Sequence, residues 1–410
     1  MSHFVKQQLK AFGVAQAIVV LKKAAGAERH PALDLRKHFQ WSDLDRHLGR
    51  VLSVASAVAG AAAAPAASPM LHFRNLGIAY GTLDQQGWDN LRKEDAVAKV
   101  HGAPTVRPIR VLESKPAAAP PKLGWNLRQI GVTKLWRKGF TGKGVRVAHL
   151  DTGVDGKHPA LAGVVEEFVE FDATGQRVPH STAFDTSNHG TLTAGIIAGR
   201  RNNDRAVGVA PGCSLLSGII IEGGDPTARL LAGLDWAVEK KVRIVNASLG
   251  FPDYSEEFLP VIKILRSNGI LPVFAVGNEG PGTSRSPGNY AEAVSVGAID
   301  RKGVVAADSG SQRFNRTADP IVPDLVTPGV DIVSTDAGGG YRKANGSSMA
   351  APHVAGLAAL LWEATPDSTV DQIEQAIFQS CTRPQSAPED RANRGIPDAV
   401  KALALLTKPK

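Results

Sequence analysis

A chain of 410 residues with 43% apolar content can build one large domain and a smaller one around substantial cores. Its net charge of +8 comes from cations that are scattered and lack the aromatic interleaving of a nucleic-acid footprint, so no nucleic-acid partner is expected. Only two cysteines, Cys213 and Cys381, are present, without a Cys-His pattern around them, which excludes a disulfide framework and a Cys-rich metal site.

Along the chain, residues 1–21 lack the order of basic start, long apolar run and small-residue cleavage site that marks a signal peptide, so the cytoplasm or a non-classical export route is expected. Residues 15–21 and 73–80 have strand character, 32–51 and 85–100 look helical, and 106–112 looks like a closing strand. An Ala-rich insert at about 51–69 is broken by Gly60 and Pro65 and reads as a loop, not a membrane span. These elements predict a small α+β module over 1–114. The Pro- and Ala-rich stretch 115–124 favours extended backbone and reads as a linker.

From 125 to 410 the pattern changes to strands alternating with helices. Strands at 144–150, 215–221, 242–245 and 270–276 predict a largely parallel sheet covered on both faces, an α/β fold. Asp225 can cap a helix that starts at Pro226 and carries a stripe of Leu230, Leu231, Leu234, Ala237 and Val238. A second helix over 255–267 stops at Gly269.

Asp151 directly follows the first of these strands, so its carboxylate belongs at a strand's carboxyl end, where open parallel sheets form their sites. His189 opens a run of small and apolar residues ending at Gly199 that reads as a buried helix, and Ser348 opens a similar run ending at Gly356. A hydroxyl at a helix N-terminus has little steric cover and lies at the favourable end of the backbone dipole, which suits a nucleophile. Serine still needs a base, and that base needs a partner that fixes its tautomer. His189 and Asp151 fit those two roles.

The segments Asp151-Thr-Gly-Val-Asp155, His189-Gly-Thr191 and Gly346-Ser-Ser-Met-Ala-Ala-Pro-His353 resemble the three signature motifs of the subtilisin-like serine proteases, in that family's order of Asp, His and Ser. Gly208-Val-Ala-Pro211, Asn246-Ala-Ser-Leu-Gly250, Val276-Gly-Asn-Glu-Gly280 and Pro323-Asp-Leu-Val-Thr-Pro-Gly329 extend the resemblance over residues 125 to 405. It implies a serine endopeptidase that cleaves polypeptides through an acyl-enzyme on Ser348, with Asn278 and the Ser348 N–H stabilising the oxyanion. It further implies that Ser248, Leu249 and Gly250 form a rail for the substrate backbone and that Ala275 and Gly277 line the primary specificity pocket.

By the same resemblance the upstream module is a ferredoxin-like propeptide, an intramolecular inhibitor that keeps the chain a zymogen until it is cut near residues 112 to 124. Four positions depart from the pattern: Leu192 and Thr193 stand where many relatives have His and Val, Ser347 where Thr is commoner, and Arg285 near the base of the specificity pocket. An inward Arg285 implies a preference for an acidic or polar residue before the scissile bond, with Glu113 as a matching cut site. No cofactor is required. Relatives often hold structural calcium, but Arg200-Arg-Asn-Asn-Asp-Arg205 sets three cations beside its oxygen donors, a poor site for a hard dication.

Two other readings compete. Asp151-Thr-Gly153 and Asp308-Ser-Gly310 could be the paired carboxylates of an aspartic protease, which requires a mostly antiparallel β fold. A complete triad could also belong to a silent or permanently inhibited binding protein.

Overall fold

The computed structural model describes residues 1–22, 31–40, 69–109, 112–221 and 224–407. Its centre is a seven-stranded sheet in the spatial order Leu325–Pro328, Val294–Ile299, Leu271–Ala275, Ile244–Ala247, Arg146–Asp151, Ser214–Ile219 and Val165–Glu170. Every neighbouring pair runs parallel. The central strands are apolar and buried at almost every position because helices cover both faces, and that burial explains their unbroken hydrophobic runs. This architecture is incompatible with the two-aspartate alternative.

One face packs on the helix Ser347–Ala364 through Ala350, Val354, Leu357 and Leu361. The other packs on Pro226–Glu239 and Leu259–Ser267. The first of these helices starts as its sequence dictates: the Asp225 carboxylate accepts from Thr227 N at 3.0 Å and Ala228 N at 2.9 Å. The second begins as a 3-10 turn at Glu256–Phe258 and ends before Gly269, whose φ of +76° suits a residue without Cβ.

The N-terminal module is a four-stranded antiparallel sheet in the order Met70–Phe73, Ile78–Asp84, Val14–Leu21 and Val97–Gly102. Alternation divides its side chains. Ala17, Val19, Ala79 and Leu83 face the module's own helices, while Ile18, Phe73, Ile78 and Tyr80 join the core of the catalytic-side helices.

Several sequence expectations change here. Residues 73–80 are a hairpin, with the turn at Arg74–Gly77 between two strands. Residues 85–100 divide into the helix Gln85–Leu91 and the strand Val97–Gly102, and that strand closes the sheet in place of 106–112. Residues 31–38 form a 3-10 helix, Gln40 bridges Thr82, and residues 41–51 of the expected helix lie outside the described residues, as does the Ala-rich insert up to 68. The helix His3–Phe12, capped by Ser2 and ended by Gly13, was not anticipated. Residues 113–117, where the linker was expected to begin, form a strand against Tyr341–Asn345. Among the described residues no helix is long and apolar enough to cross a membrane.

Candidate active site

Asp151 ends the central strand Arg146–Asp151, and His189 opens the helix His189–Ala198. Their side chains meet with His189 Nδ1 at 2.6 Å from Asp151 Oδ1. Asp185 sets this register: its Oδ2 accepts from Thr191 N and Thr191 Oγ1, both at 2.6 Å, while its Oδ1 accepts from Thr152 Oγ1 at 2.7 Å. The helix start and the loop after Asp151 also touch directly. A Cβ on Gly190 would lie 2.0 Å from Gly153 O, so only glycine fits there.

Burial disfavours the charged form of both partners, but each opposes that effect in the other. Asp151 holds the His189 imidazolium above the ordinary histidine range, and His189 holds the Asp151 carboxyl below its ordinary value. Such a pair keeps Nδ1 protonated and leaves Nε2 to take up a proton. His189 Nε2 is buried and has no hydrogen-bond partner among the described residues.

Ser348 lies in the first turn of Ser347–Ala364, after Gly346, whose φ of +137° requires glycine. Its Oγ is likewise buried without a partner. Pro352 lacks the N–H that would bond Ser348 O within the helix, and the Ser248 hydroxyl donates to that oxygen instead at 3.3 Å. Asn278 Oδ1 accepts from Ser347 N at 2.9 Å and from Ser347 Oγ at 2.8 Å. That engagement orients the amide so that its Nδ2 is the donor end. A Cβ on Gly346 would lie 2.7 Å from Nδ2, which places the amide beside the first turn of the serine helix.

Ser248 precedes the strand Leu249–Pro252, which has a neighbour on each side. On one side runs Arg285–Ser286; on the other runs the chain's own Arg107–Pro108, antiparallel, with Pro108 opposite Leu249 and Arg107 opposite Gly250. Ile109 N donates to Ser248 O at 3.3 Å, and the Ile109 side chain is buried in the same apolar cluster as Ala275. Past residues 110 and 111, the strand Glu113–Ala117 pairs with Tyr341–Asn345, which leads straight into Gly346 and Ser348. The chain is therefore strand-paired on both sides of the serine.

Ala275 and Gly277 lie at the end of the strand Leu271–Ala275, fully buried and in a left-handed turn respectively. A Cβ on Gly277 would lie 2.7 Å from Glu279 Oε2 and 3.3 Å from Arg285 Cγ, so the Arg285 stem packs beside this turn. Its guanidinium is already matched. Nε and Nη2 donate to Glu279 Oε1 at 3.0 and 2.5 Å, and Nη1 lies 3.4 Å from Gly250 O.

The stretch 200–205 offers no seat for calcium. Arg200 donates to Ala162 O and Gly163 O at 3.0 and 2.8 Å, and Arg205 donates to Pro120 O, so two of the stretch's three cations are held against backbone carbonyls of neighbouring segments. No group of three or more His, Cys, Asp or Glu able to hold a metal occurs among the described residues. Burial pushes both thiols, Cys213 and Cys381, up to about 12, which suits structural and not reactive cysteines.

Sequence reasoning missed Asp185, the hydroxyl of Ser347 as a brace for Asn278, and Glu279 as the partner of Arg285. Asp185 precedes Thr191 by only six residues, but its tie to Thr152 spans 33 residues and appears only once the fold brings the two loops together. Glu279 lies six residues before Arg285, and this opposite charge within one loop was the signal that could have paired them.

A family model described as the Subtilase family matches residues 142–398. Subtilisin E of Bacillus subtilis (strain 168) is 32% identical over 318 residues, covering 76% of this chain and 77% of that protein. The Major intracellular serine protease of the same organism is 36% identical over 246 residues, covering 57% and 73% respectively. Subtilisin Savinase of Lederbergia lenta is 34% identical over 263 residues, or 63% of this chain and 91% of that protein.

Proposed function

The chain belongs to the subtilase family, and we propose that it is made as an autoinhibited zymogen whose residues 1–109 inhibit the catalytic domain that follows them. It is a subtilisin-like serine endopeptidase acting on peptide substrates, and a member of this family needs no organic cofactor. In the reaction Ser348 Oγ attacks the peptide carbonyl, and His189 Nε2 takes the proton and later gives it to the leaving amine. Asp151 holds His189 in the required tautomer, and Asn278 Nδ2 with the Ser348 N–H stabilises the oxyanion. Ser248, Leu249 and Gly250 bind the substrate backbone as a third strand.

The observation that carries the zymogen reading is the pairing of Arg107, Pro108 and Ile109 along that rail, as a substrate would lie. Ile109 is the last residue held there, so the proposed cut is at Ile109–Arg110, upstream of the 112–124 region. Cutting at Glu113 is disfavoured because residues 113–117 already belong to a strand on the far side of the serine.

The burial of Ile109 in the apolar cluster that includes Ala275 also argues against acid selection. With Glu279 neutralising Arg285, the pair forms a floor of no net charge under Ala275 and Gly277, which fits a medium-sized apolar side chain. Glu279→Ala removes that match. Relative kcat/KM for paired fluorogenic peptides with Glu against Leu before the cut should then rise at least tenfold.

Intact mass spectrometry of the parent and Ser348→Ala chains, incubated with and without a fluorophosphonate, tests the main reading. The parent should be cut after Ile109 and labelled on Ser348, while the variant stays whole. A parent chain that stays whole but is labelled refutes the zymogen reading; one that is neither cut nor labelled favours the silent or permanently inhibited binding protein instead.

A further inference from the structure

Asp151 Oδ1 is taken by His189 and by Thr152 N, while Oδ2 faces a polar chain that the reaction above does not use. Thr193 Oγ1 lies 3.2 Å from Oδ2. Beyond it, His149 Nε2 lies 2.8 Å from Thr193 Oγ1, and His149 Nδ1 lies 3.0 Å from Ser217 Oγ. Asp151, Thr193, His149 and Ser217 are all 0% exposed. Ser217, His149 and Asn246 also stand opposite one another on three adjacent strands, a fully buried polar row across the middle of the sheet.

We propose that His149 is a positioning residue for the triad: through Thr193 it directs a hydrogen bond onto Asp151 Oδ2, which fixes the carboxylate and limits the basicity it confers on His189. This rests on the triad reading above. The order of protons follows from what each group can do. A carboxylate only accepts, so Thr193 donates to Oδ2 and its own oxygen accepts from His149 Nε2–H. His149 Nδ1 then accepts from the Ser217 hydroxyl.

Burial, outweighing the opposite pull of Asp151, keeps the His149 ring neutral and so limits it to one N–H. The charges that face it are those of Asp151, Asp185 and His189, and Asn246 beside it is uncharged. Thr193 has competing acceptors within its own helix, His189 O at 3.2 Å and Gly190 O at 3.1 Å. Accepting from His149 polarises its hydroxyl towards the one charged acceptor of the three.

An aliphatic residue at 149 releases Thr193 to its helix, leaving Asp151 less well held and more basic. The test compares parent, His149→Val, His149→Gln, Thr193→Val and the double Val variant after the inhibitor segment is removed, with active-site titration to count folded sites. His149→Val should lower kcat at neutral pH about tenfold with KM within twofold, and move the acid limb of kcat/KM upward by about half a pH unit. Thr193→Val should do the same, the double variant should be no worse than either, and His149→Gln, which restores a donor, should recover most of the loss.

Additive losses in the double variant, or His149→Val with the parent's kcat and acid limb, overturn the proposal. A parent that shows no Ser348 labelling overturns the triad reading and this one with it. A His149→Val chain that does not fold leaves the decision to Thr193→Val and His149→Gln, whose profiles support or refute the same relay.

Discussion

In the proposed reaction His189 works through two nitrogens with opposite tasks, and the balance between them sets how activity responds to pH. Burial alone would depress its pKa, but the Asp151 carboxylate at 2.6 Å outweighs that and raises it above 6.5. A general base works when neutral, so kcat/KM should climb with pH along a one-proton limb whose midpoint lies above 6.5. Initial rates across pH 5 to 9 check this, and a midpoint below 6 contradicts it. Asn278→Ala, cut in trans by the parent enzyme, should lose about two to three powers of ten in kcat with KM little changed, a magnitude carried over from subtilisin and not deduced from this geometry. Asp151, His189, Ser348 and Asn278 were legible because their chemistry forces small neighbours at fixed spacing, as Gly190 and Gly346 show. Thr193 and Ser217 were not legible as parts of one chain, because contacts 42 and 68 residues apart in sequence leave no local trace. His149 did leave one, a polar residue inside a strand whose neighbours are apolar.

Helices and strands were read well where a single period ran uninterrupted and a cap closed it, as in Pro226–Glu239 with Asp225. They were misread where two short elements shared one stretch. In 85–100, burial of Trp88 and Leu91 imitates a continuing helical stripe, and the turn before Val97 carries no proline or glycine to announce it. The serine helix is tied to the start of the catalytic domain by His353, whose Nδ1–H donates to Met349 O at 2.9 Å while Nε2 accepts from Asn126 Nδ2 at 2.9 Å. Burial pushes this imidazole down to about 4. The folded state therefore resists a proton that the unfolded chain accepts below 6.5. Stability tied to His353 is complete above 6.5 and is lost as pH falls towards 4, to the extent of about 3 kcal/mol. Thermal melts of the Ser348→Ala chain from pH 7 to 4 should show this slope, and adding His353→Gln should flatten it.

Across the whole molecule, the N-terminal sheet is held on two catalytic-side helices by an apolar face and a rim of carboxylates. Asp235 accepts from Asn75 N at 2.7 Å, Asn75 Nδ2 at 2.9 Å and Leu76 N at 2.9 Å, Asp225 from Tyr80 Oη at 2.6 Å, and Glu257 from Gly102 N at 2.8 Å. Removing the Asp235 acceptor should weaken docking by about 2 kcal/mol, roughly 30-fold. In an Asp235→Ala chain, full hydrolytic rate should appear sooner after the first cut, while the cut itself keeps the parent's rate by intact mass. The strand formed by residues 113–117 adds a consequence of its own. If the proposed cut is made upstream of it, this segment becomes the start of the new chain and still lies against Tyr341–Asn345, the strand that leads into Gly346 and Ser348. Maturation is then two releases and not one: a foreign plug diffuses away and is diluted, whereas a tethered one must peel back within the same molecule at a rate that dilution does not change.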